Sequence, residues 1–148
     1  MKNILLILTI ALISCSSNDD NLNKNINFSL IGQGQLHGNG AENIEKSSLV
    51  ITNTSSWNEL IDKMNTANNV SDDLAETDID FSQCLIIAVF DNIYSNGGHS
   101  IDIISIVENE INITVKVDKL MAGDDTQVIT QPFHIVKIPQ TEKPIIFK

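Results

Sequence analysis

Apolar and polar positions change their spacing several times along the chain, and each change marks a new element. Residues 27–36 alternate loosely, as a first strand does, before Gly32, Gly34, Gly38 and Gly40 interrupt the pattern. Residues 48–53, Ser-Leu-Val-Ile-Thr-Asn, predict a second strand. Trp57, Leu60, Ile61 and Met64 then fall at i, i+3, i+4 and i+7, the stripe of an amphipathic helix. Ser56 with Glu59 three residues on reads as the capping box that opens it, and Trp57 reads as a core anchor. Residues 84–90, Cys-Leu-Ile-Ile-Ala-Val-Phe, are apolar at every position. A strand apolar on both faces must be covered on both, so 85–90 belongs at the centre of its sheet.

Residues 92–98 form a turn, and 101–107 with 111–117 read as a hairpin around 108–110. In the second arm Ile111, Ile113, Val115 and Val117 point inward and Asn112, Thr114 and Lys116 outward. Adjacent Ile103 and Ile104 break the alternation of the first arm, which predicts a bulge or a two-sided strand. Residues 121–125 are a loop. Residues 128–138 are a long extended stretch in which Pro132, lacking an N–H, marks an edge or a break. Pro139 and Pro144 bracket a turn before a last strand, 145–147. The total is about seven strands, mostly antiparallel because short turns join them, and one helix. The expected fold is α+β and β-rich, a sheet or sandwich with the amphipathic helix packed on it.

The first residues follow a different logic. Met1-Lys2-Asn3 is short and positive, and residues 4–13 are apolar except for Thr9. Ten residues are half of the roughly twenty needed to cross a bilayer, but they suit the core of a signal peptide. The run ends Leu12-Ile13-Ser14-Cys15, which resembles the bacterial lipobox, with Ile13 departing from its usual small residue. The resemblance implies cleavage before Cys15, a thioether-linked diacylglycerol on that cysteine, and a third acyl chain on the new amino group. Each buried CH₂ contributes about 0.8 kcal/mol, so two or more chains anchor stably. Residues 1–14 are then the signal peptide, 15–26 the lipidated start with a polar tether, and 27–148 a single domain. Asp19-Asp20 behind the lipidated cysteine resembles the acidic signals that send outer-membrane lipoproteins to the cell exterior. The expected place is the cell envelope, on the outer membrane and exposed at its surface.

Charge narrows the partners. The chain of 148 residues carries a formal net charge of −10, and all nine of its cations are lysines. A surface without arginine and with so few cations argues against nucleic acid, whose phosphates must be neutralised. It argues equally against guanidinium clamps for phosphate or carboxylate groups. With Cys15 acylated, Cys84 has no partner, and it reads as a small buried hydrophobe.

Candidate chemistry is sparse. His37, His99 and His134 lie far apart, with no local metal-binding pair. The acidic stretch 71–80 lacks the central glycine and the ligand spacing of a calcium loop. No Gly-x-Ser-x-Gly elbow is present, nor a dinucleotide fingerprint around Gly32 and Gly34. No cofactor or metal is expected. The run Asn96-Gly97-Gly98-His99-Ser100-Ile101, the hairpin after it, and residues 131–139, Gln-Pro-Phe-His-Ile-Val-Lys-Ile-Pro, resemble the C-terminal domain of the protease complex subunit PrcB family. Asp80-Phe81 and the strand leading into the Trp57 helix fit the same pattern, and the likeness spans residues 47–143. It implies a small bacterial lipoprotein that binds another envelope protein without catalysis, and the family offers no catalytic residues to carry over.

The leading expectation is therefore a lipid-anchored accessory or binding module whose partner is another envelope protein. A hydrolase or metal-dependent enzyme built on His99 or His134 is the alternative, and a carbohydrate-binding surface lipoprotein the third. Two loops stand out as contact candidates: one with Tyr94, Gly97, Gly98 and His99, the other with Asp124 and Asp125. They flank the hairpin at its shared open end, so they should meet and form one contact surface.

Overall fold

The structure, a computed structural model, describes residues 23–148. Cys15 and the signal-peptide segment lie outside the described residues. Among the described residues eight strands and one α-helix follow in order: β1 (Lys24–Asn25), β2 (Ser29–Leu36), β3 (Ser47–Ile51), α1 (Thr54–Met64), β4 (Cys84–Phe90), β5 (Asp102–Glu108), β6 (Ile113–Asp118), β7 (Gln131–Pro139) and β8 (Ile145–Phe147). A short 3₁₀ turn, Val70–Asp73, lies between α1 and β4. One sheet runs β2-β7-β4-β3 and is antiparallel throughout. The other runs β1-β5-β6-β8, with β6 and β8 parallel and the rest antiparallel. The chain is thus an α+β, β-rich sandwich with a helix on it.

Strand β4 sits inside the first sheet and is covered on both faces. Leu85, Ile87 and Val89 join Val136 and Ile138 against Ile103, Ile106 and Val115 of the second sheet. Ile86, Ala88 and Phe90 face the other way, with Phe133 and Ile135, under Trp57, Leu60 and Met64 of α1. The molecule is therefore three layers deep, helix, sheet and sheet, and the unbroken apolar run of β4 is what the middle layer requires. Trp57 is 1% exposed, and its indole Nε1–H donates to the carbonyl of Thr77 at 2.8 Å.

Four local expectations are corrected. Helix α1 is capped by Asn53 and not by Ser56: Asn53 is extended, and its side chain accepts from the Ser56 N–H at 2.9 Å. Glu59 pairs instead with Lys63 one turn on, at 3.2 Å. Ile111 is 76% exposed, because the Asn109 side chain accepts from the N–H groups of Ile111 and Asn112 and turns the chain there. Lys24 and Asn25, expected in the tether, pair with Glu108 and Val107 of β5.

The largest correction is Pro132. Strand β7 is not at an edge but lies between β2 and β4. Asp91 donates to the Pro132 carbonyl at 3.0 Å, so the missing proline N–H would have pointed back at the Asp91 carbonyl. The Gln131 side-chain amide fills that place and donates to Asp91 O at 3.0 Å. A proline is tolerated inside the sheet because its neighbour supplies the lost donor. The bulge in β5 is present: the register slips between Ile103 and Ser105, and Ile104 turns outward.

Trp57→Ala should destabilise the domain by about 3–5 kcal/mol, a large share of the 5–15 typical of a domain. Urea unfolding followed by far-ultraviolet circular dichroism measures it. A loss under about 1 kcal/mol would contradict the packing described here.

Candidate functional site

The two flanking loops do meet. Residues 92–100 and 120–130 zip together as an irregular antiparallel ribbon at the open end of the β5–β6 hairpin. Tyr94 and Thr130 exchange backbone hydrogen bonds of 2.8 and 3.0 Å. Further along, Gly97 N–H donates to Thr126 O at 3.2 Å, Asp124 N–H to Gly97 O at 2.9 Å and Gly123 N–H to Gly98 O at 3.1 Å. His99 bridges to Ala122, and the Asn96 side chain donates to Asp124 O at 2.8 Å.

Two glycines make the crossing possible. Gly98 and Gly123 have φ of +70° and +99°, and a Cβ on Gly98 would stand 2.9 Å from the backbone nitrogen of Asp124. A Cβ on Gly123 would stand 2.4 Å from His99 Nε2. Gly97 and Gly98 therefore serve the seam between the loops and offer little to an outside partner. The Asp124 carboxylate is exposed and bonds within its own loop, accepting from the Thr126 N–H at 2.9 Å and from the Thr126 hydroxyl. Those bonds hold its carboxyl below the usual carboxylate range. Asp125 is exposed.

Beneath the ribbon lies a charged node that the sequence reading passed over. Asp91, directly after β4, is fully buried. Its Oδ2 meets the Lys119 ammonium at 2.7 Å and accepts from the Tyr94 hydroxyl at 2.6 Å. The Lys46 ammonium stands 3.3 Å from Oδ1. Burial alone would raise the Asp91 pKa, but the bonds from Lys119, Tyr94 and the Asn92 backbone outweigh it and hold the carboxyl at about 2. Lys119 also donates to the Tyr94 hydroxyl at 2.9 Å, and the Tyr94 ring stacks on His99 with centroids 3.6 Å apart. One buried carboxylate thus ties the ends of β4 and β6, the start of β3 and the first loop to a single point.

The ribbon's bonds are made by backbone, which leaves many side chains outside. Among the described residues ten large apolar side chains are exposed, and five of them, Ile93, Leu120, Met121, Val128 and Ile129, lie on these two short arms. Half of the exposed apolar side chains thus fall on these two arms, with neighbours such as Val128 and Ile129 directed to opposite faces of the extended chain. The Leu120-Met121 pair was legible as an apolar dipeptide inside a loop. Asp91 was legible as a charge ending the most apolar run.

The other candidates separate. His134 is buried in β7, and its Nδ1 accepts the Ile103 N–H at 3.0 Å. Burial pushes its imidazole below the ordinary 6.5, against the pull of Asp102. The Ser100 hydroxyl donates to Asp102 and not to an imidazole, so the serine and histidine do not form a nucleophile–base pair. His99 Nε2 meets the Asn96 side chain at 3.0 Å. Among the described residues no three His, Cys, Asp or Glu side chains converge as a metal ligand set. Cys84 is half-buried, and burial raises its thiol pKa.

The Asp91 node sets a pH signature. Its folded pKa of about 2 lies below the ordinary 3.8, so the charged form favours the folded state. That stabilisation is complete above about pH 4 and disappears as pH falls through 2. Asp91→Asn should therefore melt below the parent at pH 7, with the gap closing between about pH 4 and pH 2. Melting curves across that range measure it, and a gap independent of pH would disprove the assignment.

No protein-family model, no curated protein and no solved structure matches this chain.

Proposed function

We propose that the chain is a lipid-anchored protein of the cell envelope that acts as a non-catalytic binding or accessory module, engaging another envelope protein through the ribbon of residues 92–100 and 120–130. The observation that carries this reading is the gathering of Ile93, Leu120, Met121, Val128 and Ile129 on a ribbon held rigid from below. An apolar, prearranged surface on an otherwise acidic domain suits a protein partner better than a small polar substrate. The resemblance of residues 96–101 and 131–139 to the PrcB family, a sequence resemblance that no family-model match supports, would imply the same accessory role.

Topology supports the orientation. Strand β1 pairs Lys24 with Glu108, so the chain enters the domain at the far end of β5. The ribbon begins at the near end, beside Ser100 and Asp102. Six residue steps along a strand separate the two by about 20 Å. With a lipid on Cys15, the tether would join the domain at the end of β5 opposite the ribbon.

Two experiments test this. Cys15→Ser should leave an uncut precursor that incorporates no fatty acid, and palmitate labelling of that variant would refute the anchor. A photoreactive side chain at position 128, on intact cells, should cross-link to a discrete envelope protein, whereas one at position 50 on β3 should not. Leu120→Ser combined with Met121→Ser should reduce that cross-link at least tenfold while melting stays unchanged. Equal cross-linking from both positions, or no effect of the double change, would rule out the ribbon.

A further inference from the structure

We propose a second binding site, separate from the ribbon: the open edge of β2 takes an extended segment of another protein as an added strand, and the cleft beside it receives a lysine or arginine side chain of that segment.

The pairing register shows which backbone groups of β2 are free. Pro132 directs its carbonyl to Asp91, on the β4 side. Successive residues of an antiparallel strand point their backbone groups to alternate sides, so Phe133 and Ile135 face β2. There they oppose Gly34 and Gly32, which are bound into the ladder. Gln33 and Gln35 must then direct their N–H and C=O groups outward, and among the described residues nothing bonds to those four groups. Their side chains do not cover the edge either. Gln33 Nε2 donates to Asp102 at 2.7 Å and Gln35 Nε2 to the His99 carbonyl, both toward the second sheet.

The same edge already accepts a strand-like contact at its other end. The Ala75 N–H donates to the Ile31 carbonyl at 2.8 Å. An incoming segment continues that contact along the edge, using Gln33 and Gln35, as strand addition requires.

The adjoining cleft, about 230 Å³, lies between β2 and residues 68–74. Gly34 has no side chain, and a Cβ there would stand 3.5 Å from the Phe133 ring. The ring therefore forms the floor, with Val70 and Leu74 beside it. Alternate side chains of an added strand project to this face. Asp73 is the one carboxylate on the lining and no lysine lies there; His37 is the one imidazole, and Asn68 and Asn69 add neutral amides whose oxygens can accept. A long aliphatic stem over Phe133 with its cation at Asp73 fits that lining, and an acidic side chain does not. The β3 edge of the same sheet differs: its cleft is wider, about 650 Å³, and carries Lys46, Lys119 and Asp118, so it makes no such selection by charge.

The test uses acetylated, amidated heptapeptides of alternating threonine and valine whose central residue is lysine, arginine, norleucine or glutamate. They are titrated into the purified protein while backbone amide hydrogen exchange is followed by nuclear magnetic resonance. The lysine and arginine peptides should bind and slow exchange at Gln33 and Gln35 at least tenfold. Methylating alternate peptide nitrogens to remove their donors should weaken binding at least tenfold. Asp73→Asn, an exposed change that should leave melting unaltered, should reduce the preference for lysine over norleucine at least fivefold. Absence of binding by every peptide, binding indifferent to the central residue, or binding without slower exchange at Gln33 and Gln35 would each overturn the proposal.

Discussion

A carboxylate with no exposure at the end of the most buried strand must be met by charge and hydrogen bonds, and Asp91 draws two cations and one neutral donor from three directions. Lys119 reaches it from the end of β6, Lys46 from the start of β3, and the Tyr94 hydroxyl from the loop above. Burying an ion costs several kcal/mol unless its geometry is well satisfied, so the arrangement tolerates little displacement. Both lysines keep about half of their side-chain surface in water. Each therefore retains hydration and spans the boundary between the buried charge and solvent. The path of residues 92–100 follows from this, because Tyr94 is pinned to Asp91 while His99 stacks on Tyr94.

The fold was readable where local pattern and burial agree. The apolar run of β4 demanded cover on both faces, and three layers supply it. The Trp57 stripe gave the helix face, and the clash of Ile103 with Ile104 foretold the bulge. The misreadings share a cause: a side chain acting at a distance from its usual position. Asn53 caps in place of Ser56, three residues earlier than the capping-box pattern implied. Gln131 makes Pro132 harmless by donating to Asp91 O, which no propensity rule for proline anticipates.

The site was half legible for a similar reason. That the two loops must meet follows from topology, since both leave the same end of one hairpin. How they meet depends on pairs distant in sequence, such as Asn96 with the Asp124 carbonyl and Gly97 with Thr126. Gly97, Gly98 and the Asp124 backbone therefore hold the seam, whereas the exposed side chains are the Asp124 and Asp125 carboxylates and apolar neighbours that carry no reactive group. The histidines were dispersed by the same fold. The sequence places His134 in a strand, but only the packing shows its Nδ1 occupied by the Ile103 N–H.

The division between backbone and side chain within the ribbon has an energetic consequence. A flexible loop that orders on binding loses conformational freedom of about 1–2 kcal/mol per residue fixed. Here backbone donors and acceptors along the seam, with Asp91 at the base, already tie the two arms together. Leu120, Met121, Val128 and Ile129 are then displayed at little further entropic cost, retaining only their rotamer freedom. A protein whose exposed apolar groups arose from imperfect packing would show them scattered over mobile segments. Their concentration on a tied ribbon is consistent with the proposed recognition surface, and in that reading the constraint lies in Asp91 and the glycine crossing, not in the side chains that would touch a partner.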